Sequence, residues 1–375
     1  MRSATSILVT CVALLLALGM VMLYSASMTT KPGAHYLVMQ LIWAGLGLTA
    51  CTVAASVDYK HLRKVSLVVL AFAVVLLVLV LIPNVGFKAN GARRWLNFGG
   101  YTFQPSELGK VALIIFLAHY GERYQRQMGT FYRGLLVPGA AVALVLGLIV
   151  VEMDVGCTLL LGAVSFALLL IAGVKWRYVL PPLLIGLIAV SAFIYSNPTR
   201  SKRIYAWLHP EETQLGVGMQ GYQSMLAIGA GGLTGRGLGE SRQKQGFVPE
   251  HHTDFILAII GEELGLIATL GILLGFVIIV CCGIYIAWRA RDTFGLLLGS
   301  GLTFLIGLQA FINVGVVTGV LPNKGMPLPF ISYGGSNLLF MLCSIGLLLN
   351  IARHAPETSA LRRNPFGEEP APQSS

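Results

Sequence analysis

Hydrophobic positions along the chain gather into ten blocks, residues 7–27, 36–56, 65–82, 106–121, 134–151, 155–173, 178–196, 265–288, 294–320 and 334–352. A helix needs about 20 mostly apolar residues to cross the hydrocarbon core of a bilayer. The pattern predicts an all-α polytopic membrane protein of about ten transmembrane helices, forming one transmembrane domain over 1–354. The first block is too long for the core of a signal peptide and reads as a retained span, although it ends in Ser-Ala-Ser. Two connections, 83–105 and 197–253, are long and mix aromatic, apolar and glycine residues, which predicts ordered loops. The tail 355–375, rich in Pro, Ser, Glu and Arg, reads as disordered. No repeat of solenoid period is present.

Ten spans put both termini on one side of the membrane. Of the 26 Lys and Arg residues, 14 fall on the amino-terminal side and 12 on the other. Short loops of the second side hold only Lys31 and Lys324, while the other ten lie in or beside the two long connections. Long loops count little in the positive-inside rule. Both termini are therefore expected in the cytoplasm, with the two long loops outside.

Composition excludes a soluble protein. The 375 residues are 55% hydrophobic and 11% charged, with mean hydropathy +0.76, against about 25% charged in a soluble domain. The six cysteines, Cys11, Cys51, Cys157, Cys281, Cys282 and Cys343, all lie in apolar segments without CxxC spacing. They read as packing residues.

Ionisable groups in or bordering the spans are the candidates for chemistry. Pro105 followed by Ser106 and Glu107 marks a helix start, and Glu107 and Lys110 share one face of that helix. They form a local ion pair or part of a site. Arg93 and Arg94, beside Trp95, are interfacial anchors or a phosphate grip, for which the guanidinium fork is suited. Glu152 and Asp154 occupy a tight turn between spans five and six. With no basic neighbour in sequence they need a partner from elsewhere, and Lys110 on the same side is the expected partner of Asp154.

Residues 216–246 hold ten glycines, and Gly216-x-Gly218-x-x-Gly221 matches the dinucleotide fingerprint in letter only. The strand and βαβ unit that give that motif meaning are missing. His251 and His252 lack a second cluster of metal-ligand residues. Asp254 sits where this polar loop meets 34 residues free of Lys and Arg, Phe255 to Trp288. That stretch exceeds one span, so a break is expected near 261–265, with the first part buried beside the site. Asp254 is either an N-cap or a carboxylate poised between apolar and polar surroundings. Finally, residues 321–336 carry three prolines and three glycines, predicting a stiff non-helical loop. Such backbone at membrane depth must be satisfied by protein or line a cavity, so this loop is a plug or a site wall.

Asn-Gly-Ala-Arg-Arg-Trp at 90–95, Phe-Gln-Pro-Ser-Glu at 103–107 with Lys110, Pro-Glu-x-His-Thr-Asp-Phe at 249–255, Ile-Gly-Glu-Glu-x-Gly at 260–265, and the run from Leu-Pro-x-Lys-Gly to Ile-Ser-Tyr-Gly-Gly-Ser at 321–336 together resemble the SEDS family. Tyr24-Ser-Ala-Ser27 also fits, and Ser241-Arg-Gln-Lys244 resembles the division and sporulation branch. Glu152-Met153-Asp154 departs from the family's common Gln-Pro-Asp, and His251 replaces a smaller residue.

The resemblance implies a peptidoglycan glycosyltransferase of the bacterial cytoplasmic membrane, acting at the division septum. It would polymerise lipid II and release a polyprenyl diphosphate. Asp254 matches the catalytic aspartate, the general base on the acceptor sugar hydroxyl. Arg93, Arg94, Gln104, Ser106, Glu107, Lys110, Asp154, Lys244, His252, Lys324 and Ser332 would line the substrate site. The leaving charge would fall to basic side chains or to a divalent cation, Mg2+ or Mn2+; no tightly bound cofactor and no protein metal site is expected. Expected partners are lipid II and lipid-linked glycan, membrane lipid, other division proteins and a class B penicillin-binding protein, with no nucleic acid. Ser241 and Lys244 have transpeptidase spacing without a companion motif, so crosslinking would belong to the partner. The alternatives are a lipid II flippase or other lipid transporter, and an elongation polymerase.

Overall fold

Ten long helices follow the ten apolar blocks in the computed structural model, which describes residues 1–27, 33–89, 92–99, 101–214, 216, 218–241 and 253–355. In chain order they begin with α1 (Arg2–Ser27), α2 (Gly33–Ser56), α3 (His61–Leu81), α4 (Pro105–Arg123) and α5 (Val137–Val151), the last led in by a π-helical stretch at Phe131–Leu136. Then come α6 (Val155–Ile171) and α7 (Trp176–Tyr195). The second long connection contributes two short helices, α8 (Pro198–Leu208) and α9 (Met219–Gly231). The bundle closes with α10 (Ile256–Trp288), α11 (Thr293–Val317) and α12 (Gly335–Arg353).

Among the described residues, eight of these helices are long and apolar enough to cross a membrane. The other two of the ten fall short for separate reasons. Helix α6 has only 17 residues, and α4 carries Glu107, Lys110, Glu122 and Arg123.

The first long loop departs from the all-α expectation. It forms a three-stranded antiparallel sheet, β1 (Gly86–Ala89), β2 (Ala92–Phe98) and β3 (Tyr101–Phe103), in that order. Phe87 pairs with Trp95, and Leu96 with Phe103. Ala92 and Leu96 are buried, and the register with β1 shifts between Phe87 and Lys88, which leaves Arg94 as the extra, unpaired residue of β2.

Connections gather at two opposite ends, as alternate crossings require. At one end the Tyr59 hydroxyl donates to Asp292 at 3.0 Å, Arg63 pairs with Glu122 at 3.0 Å and with Asp292, and the Asn350 amide donates to the carbonyls of Ala54, Ala55 and Val57. The other end holds the sheet, the 152–154 turn, α8, α9 and the loop 318–334. In lipid, close helix approach depends on small residues. Gly346 lets α12 sit on the Cys51 carbonyl of α2, and Gly283 lets α10 lie against Thr303 of α11. Large apolar side chains left exposed, such as Val68, Ile185 and Ile188, form the lipid-facing surface.

The expected break in α10 occurs at Gly265, whose backbone leaves the helical region at φ 77°, ψ −171°. Residues Ile256–Glu263 before it are buried throughout. Backbone groups freed by a helix break need partners, and the segment after α9 supplies them. Leu266 N–H donates to the Gly232 carbonyl at 2.9 Å, and the Glu262 and Glu263 carbonyls accept from Arg236 and Gly237 N–H, each at 3.0 Å. Side chains reinforce the strap: Arg236 pairs with Glu262 at 3.1 Å, and Ser25 of α1 and Ser241 donate to the buried carboxylates of Glu263 and Glu262.

Candidate active site

Asp254 stands in the turn Thr253–Phe255, just before α10, whose N-cap position falls to Phe255 instead. The Asp254 backbone carbonyl accepts from the Asn313 amide at 2.9 Å, and the same amide reaches the Met326 carbonyl at 2.6 Å. One side chain on α11 therefore fixes the start of α10 to the Pro-rich loop. Gly325 of that loop packs directly on the Asp254 carboxylate, leaving no room for a β-carbon. The loop is thus a wall of the site.

A buried polar relay holds this wall in place. Lys110 bridges Glu107 at 2.9 Å and Gln309 at 3.0 Å, Glu107 accepts from Asn337 at 3.0 Å, and Gln309 donates to the Pro327 carbonyl at 3.0 Å. Lys110 is 2% exposed and its charge is spent on Glu107. Ser332 Oγ accepts from Leu328 N–H at 2.8 Å, and Gln40 of α2 donates to the Ser332 carbonyl at 3.1 Å. Gln104 donates to Ser336 and Ser106, and Ser106 is fully buried. All five of these expected substrate-contacting residues bond to the protein itself.

Beside Lys324, next in chain to Gly325, lies a cluster of cations. The Lys324 stem lies across Gly156 in the first turn of α6, where a β-carbon would come within 2.6 Å of it. Arg94 donates to the carbonyls of Glu152 (3.1 Å) and Met153 (2.7 Å) and stands 3.9 Å from the Asp154 carboxylate. Asp154 also caps α6 through Cys157 N–H. Its ion-pair partner is thus Arg94 rather than Lys110: Arg94, the extra residue of β2, reaches the 152–154 turn, while Glu107 retains Lys110. Arg200 of α8 reaches the Met153 sulfur at 2.9 Å and stacks over Phe193 at 4.1 Å.

Burial pushes the Lys324 ammonium down to about 8, Asp154 opposing the shift and Arg94 and Arg200 adding to it. Burial, then Asp154, pushes the Glu152 carboxyl up to about 9 against the pull of Arg94. Glu152 is 1% exposed, and neither carboxyl oxygen has a hydrogen-bond partner among the described residues. It is a neutral acid at neutral pH.

Of the expected site residues, Asp254, Lys324, Arg94 and Asp154 converge on the end of the bundle that carries the sheet. Arg93 stands opposite Lys88 in the sheet, and Lys244 and His252 lie outside the described residues. Sequence reasoning missed Arg200, Gln309, Asn313 and Asn337. The two α11 residues carried a signal, an amide pair four apart inside an apolar span. Arg200 carried none. As for a divalent cation, no group of three or more His, Cys, Asp or Glu stands together among the described residues, and Asp154 is ringed by positive charge.

A nearly all-helical membrane bundle with a carboxylate and a cationic cluster at one end defines a class: multi-pass membrane proteins whose polar site lies at an end of the bundle. The chain belongs to the Cell cycle protein family of FtsW, RodA and SpoVE, which it matches over residues 5–357. It is 43% identical over 339 residues to a probable peptidoglycan glycosyltransferase FtsW of Geobacter metallireducens, covering 89% of this chain and 90% of that one. It is 40% identical to the stage V sporulation protein E of Bacillus subtilis, covering 91% and 95%. Among solved structures, it resembles a chain from a peptidoglycan synthase complex described for its coordination of polymerization and crosslinking, with TM-score 0.78, 29% identity and coverage of 92% and 96%. Rod shape determining protein RodA of Thermus thermophilus gives TM-score 0.69 at 27% identity, covering 92% and 95%.

Proposed function

We propose that the chain is a peptidoglycan glycosyltransferase that polymerises lipid II during septal wall synthesis, with Asp254 as general base. One observation carries the assignment of the base. The Asp254 carboxylate sits at the outer end of the bundle, pressed against Gly325, one residue from a lysine within a cationic cluster. A sugar hydroxyl is a poor nucleophile near neutral pH and needs a positioned base. Asp254 takes the hydroxyl proton as the oxygen attacks the anomeric carbon of the second lipid-linked sugar. The bond from that carbon to the diphosphate breaks, and the electron pair leaves with the diphosphate. Fixed positive charge stabilises that leaving group in a partly desolvated site, and this role falls to Arg94 and Lys324. Glu107, Lys110, Gln104, Ser106 and Ser332 act through the wall they hold.

A class B penicillin-binding protein is the proposed partner for crosslinking, since the chain has one candidate catalytic carboxylate and no paired transpeptidase motifs. The likeness to a synthase complex that couples polymerization to crosslinking supports this pairing. Purified protein, with and without that partner, is tested on labelled lipid II. Asp254→Asn should abolish glycan chains while leaving the protein folded and membrane-inserted. Chains made at the wild-type rate would remove Asp254 from the role of base.

A further inference from the structure

Arg200 was not among the residues the sequence pointed to, and its surroundings are unusual for an arginine. Its Nη1 is buried without a hydrogen-bond partner among the described residues. Among the described residues its Nη2 has the weak acceptor sulfur of Met153 as hydrogen-bond partner. Burial lowers its proton affinity, and the nearby Arg94 and then Arg203 add to that shift. Like charges packed together, with one strong donor unspent, are costly unless an anion completes the set.

From this geometry we infer that Arg200, Arg94 and Lys324 form one seat for a diphosphate group, the diphosphate of a lipid-linked sugar, at the amino end of α6. This inference deepens the proposed function and rests on it.

The charge balance fits. Three cations face one carboxylate, Asp154, and Glu152 adds no charge while it keeps its proton. That leaves an excess of two positive charges for a bridging diphosphate. The seat is also joined to the base through one residue, because Lys324 belongs to the seat and Gly325 touches Asp254. The rigidity needed for a bidentate grip comes from Phe193 under the Arg200 guanidinium and from the two backbone carbonyls that hold Arg94. Below the seat, about 14 Å further along α6 by its rise per residue, an apolar groove of about 350 Å³ opens between α6, α10 and α11, lined by Ala163, Ala167, Val280, Gly307 and Phe311. Head and groove lie on one helix, as an amphiphile with an anionic head requires.

The test uses the full chain in nanodiscs of neutral lipid, with farnesyl diphosphate as the binding probe and labelled lipid II as the substrate. Wild-type protein should bind farnesyl diphosphate, and the probe should inhibit polymerisation competitively. Arg200→Ala should weaken probe binding at least tenfold and raise KM for lipid II by a similar factor. Arg200→Lys should recover part of both. Asp254→Asn should bind the probe as wild type does, which separates seat from base. Probe affinity unchanged in a folded Arg200→Ala would overturn the inference. So would phosphatidylglycerol displacing the probe at matched concentration, which would make this a phospholipid headgroup site. Wild-type protein that binds the probe but forms no polymer from lipid II, even with its partner, would instead overturn the polymerase reading and leave the seat standing.

Discussion

Replacing Glu152 by glutamine should stabilise the protein, and by an amount that depends on pH. The Glu152 carboxyl is 1% exposed, has no hydrogen-bond partner among the described residues, and holds its proton to about 9 in the native state against 4.5 when exposed. Below 4.5 both states carry the proton and pH has no effect through this group. As pH rises from 4.5 to 9 the unfolded chain has lost the proton while the native chain keeps it, so native stability falls. At pH 7 the gap is about 2.5 units, equivalent to roughly 3 kcal/mol. Glutamine has the same shape and no charge to gain, so Glu152→Gln should recover up to that amount at pH 7, less at pH 5.5 and more at pH 8.5. Thermal unfolding of wild type and variant at those three pH values measures it. A variant no more stable than wild type at pH 8.5, or an advantage that does not grow with pH, would refute the claim that Glu152 is buried as a neutral acid.

Two further substitutions separate the site from its support. Gly325→Ala places a methyl group against the Asp254 carboxylate, so lipid II polymerisation should fall at least tenfold with the unfolding temperature nearly unchanged; activity within a factor of two would mean that the contact is slack. Glu107→Ala strands the buried Lys110 ammonium and leaves Asn337 without its acceptor. It should cost about 3–5 kcal/mol, as expected when one partner of a buried pair is removed, seen as a lower unfolding temperature.

The ten apolar blocks were legible because a bilayer imposes one length on every crossing element, and that constraint is written locally in the chain. Pro105 at a helix start, the Glu107–Lys110 pair and the break at Gly265 were legible for the same reason, each being a matter of neighbours within a turn or two. The sheet over 86–103 escaped because its pairing depends on which residues the bundle covers, Ala92 and Leu96 among them. Motif resemblance supplied Asp254, while its contact with Gly325 joins residues 71 apart in the chain, and spacing could not predict it.

The sequence by itself thus determined that the chain lives in a membrane, how many apolar blocks it offers, and which carboxylate to suspect. Tertiary structure alone decided the partners of each charge. Lys110 turned inward to Glu107 and Gln309, Arg94 rather than Lys110 went to Asp154, and Arg200, a basic residue of a long loop, joined the cluster. Hydrophobic length is a property of a segment, but the pairing of charges in a low-dielectric interior depends on distances between segments, which exist only once the helices have packed.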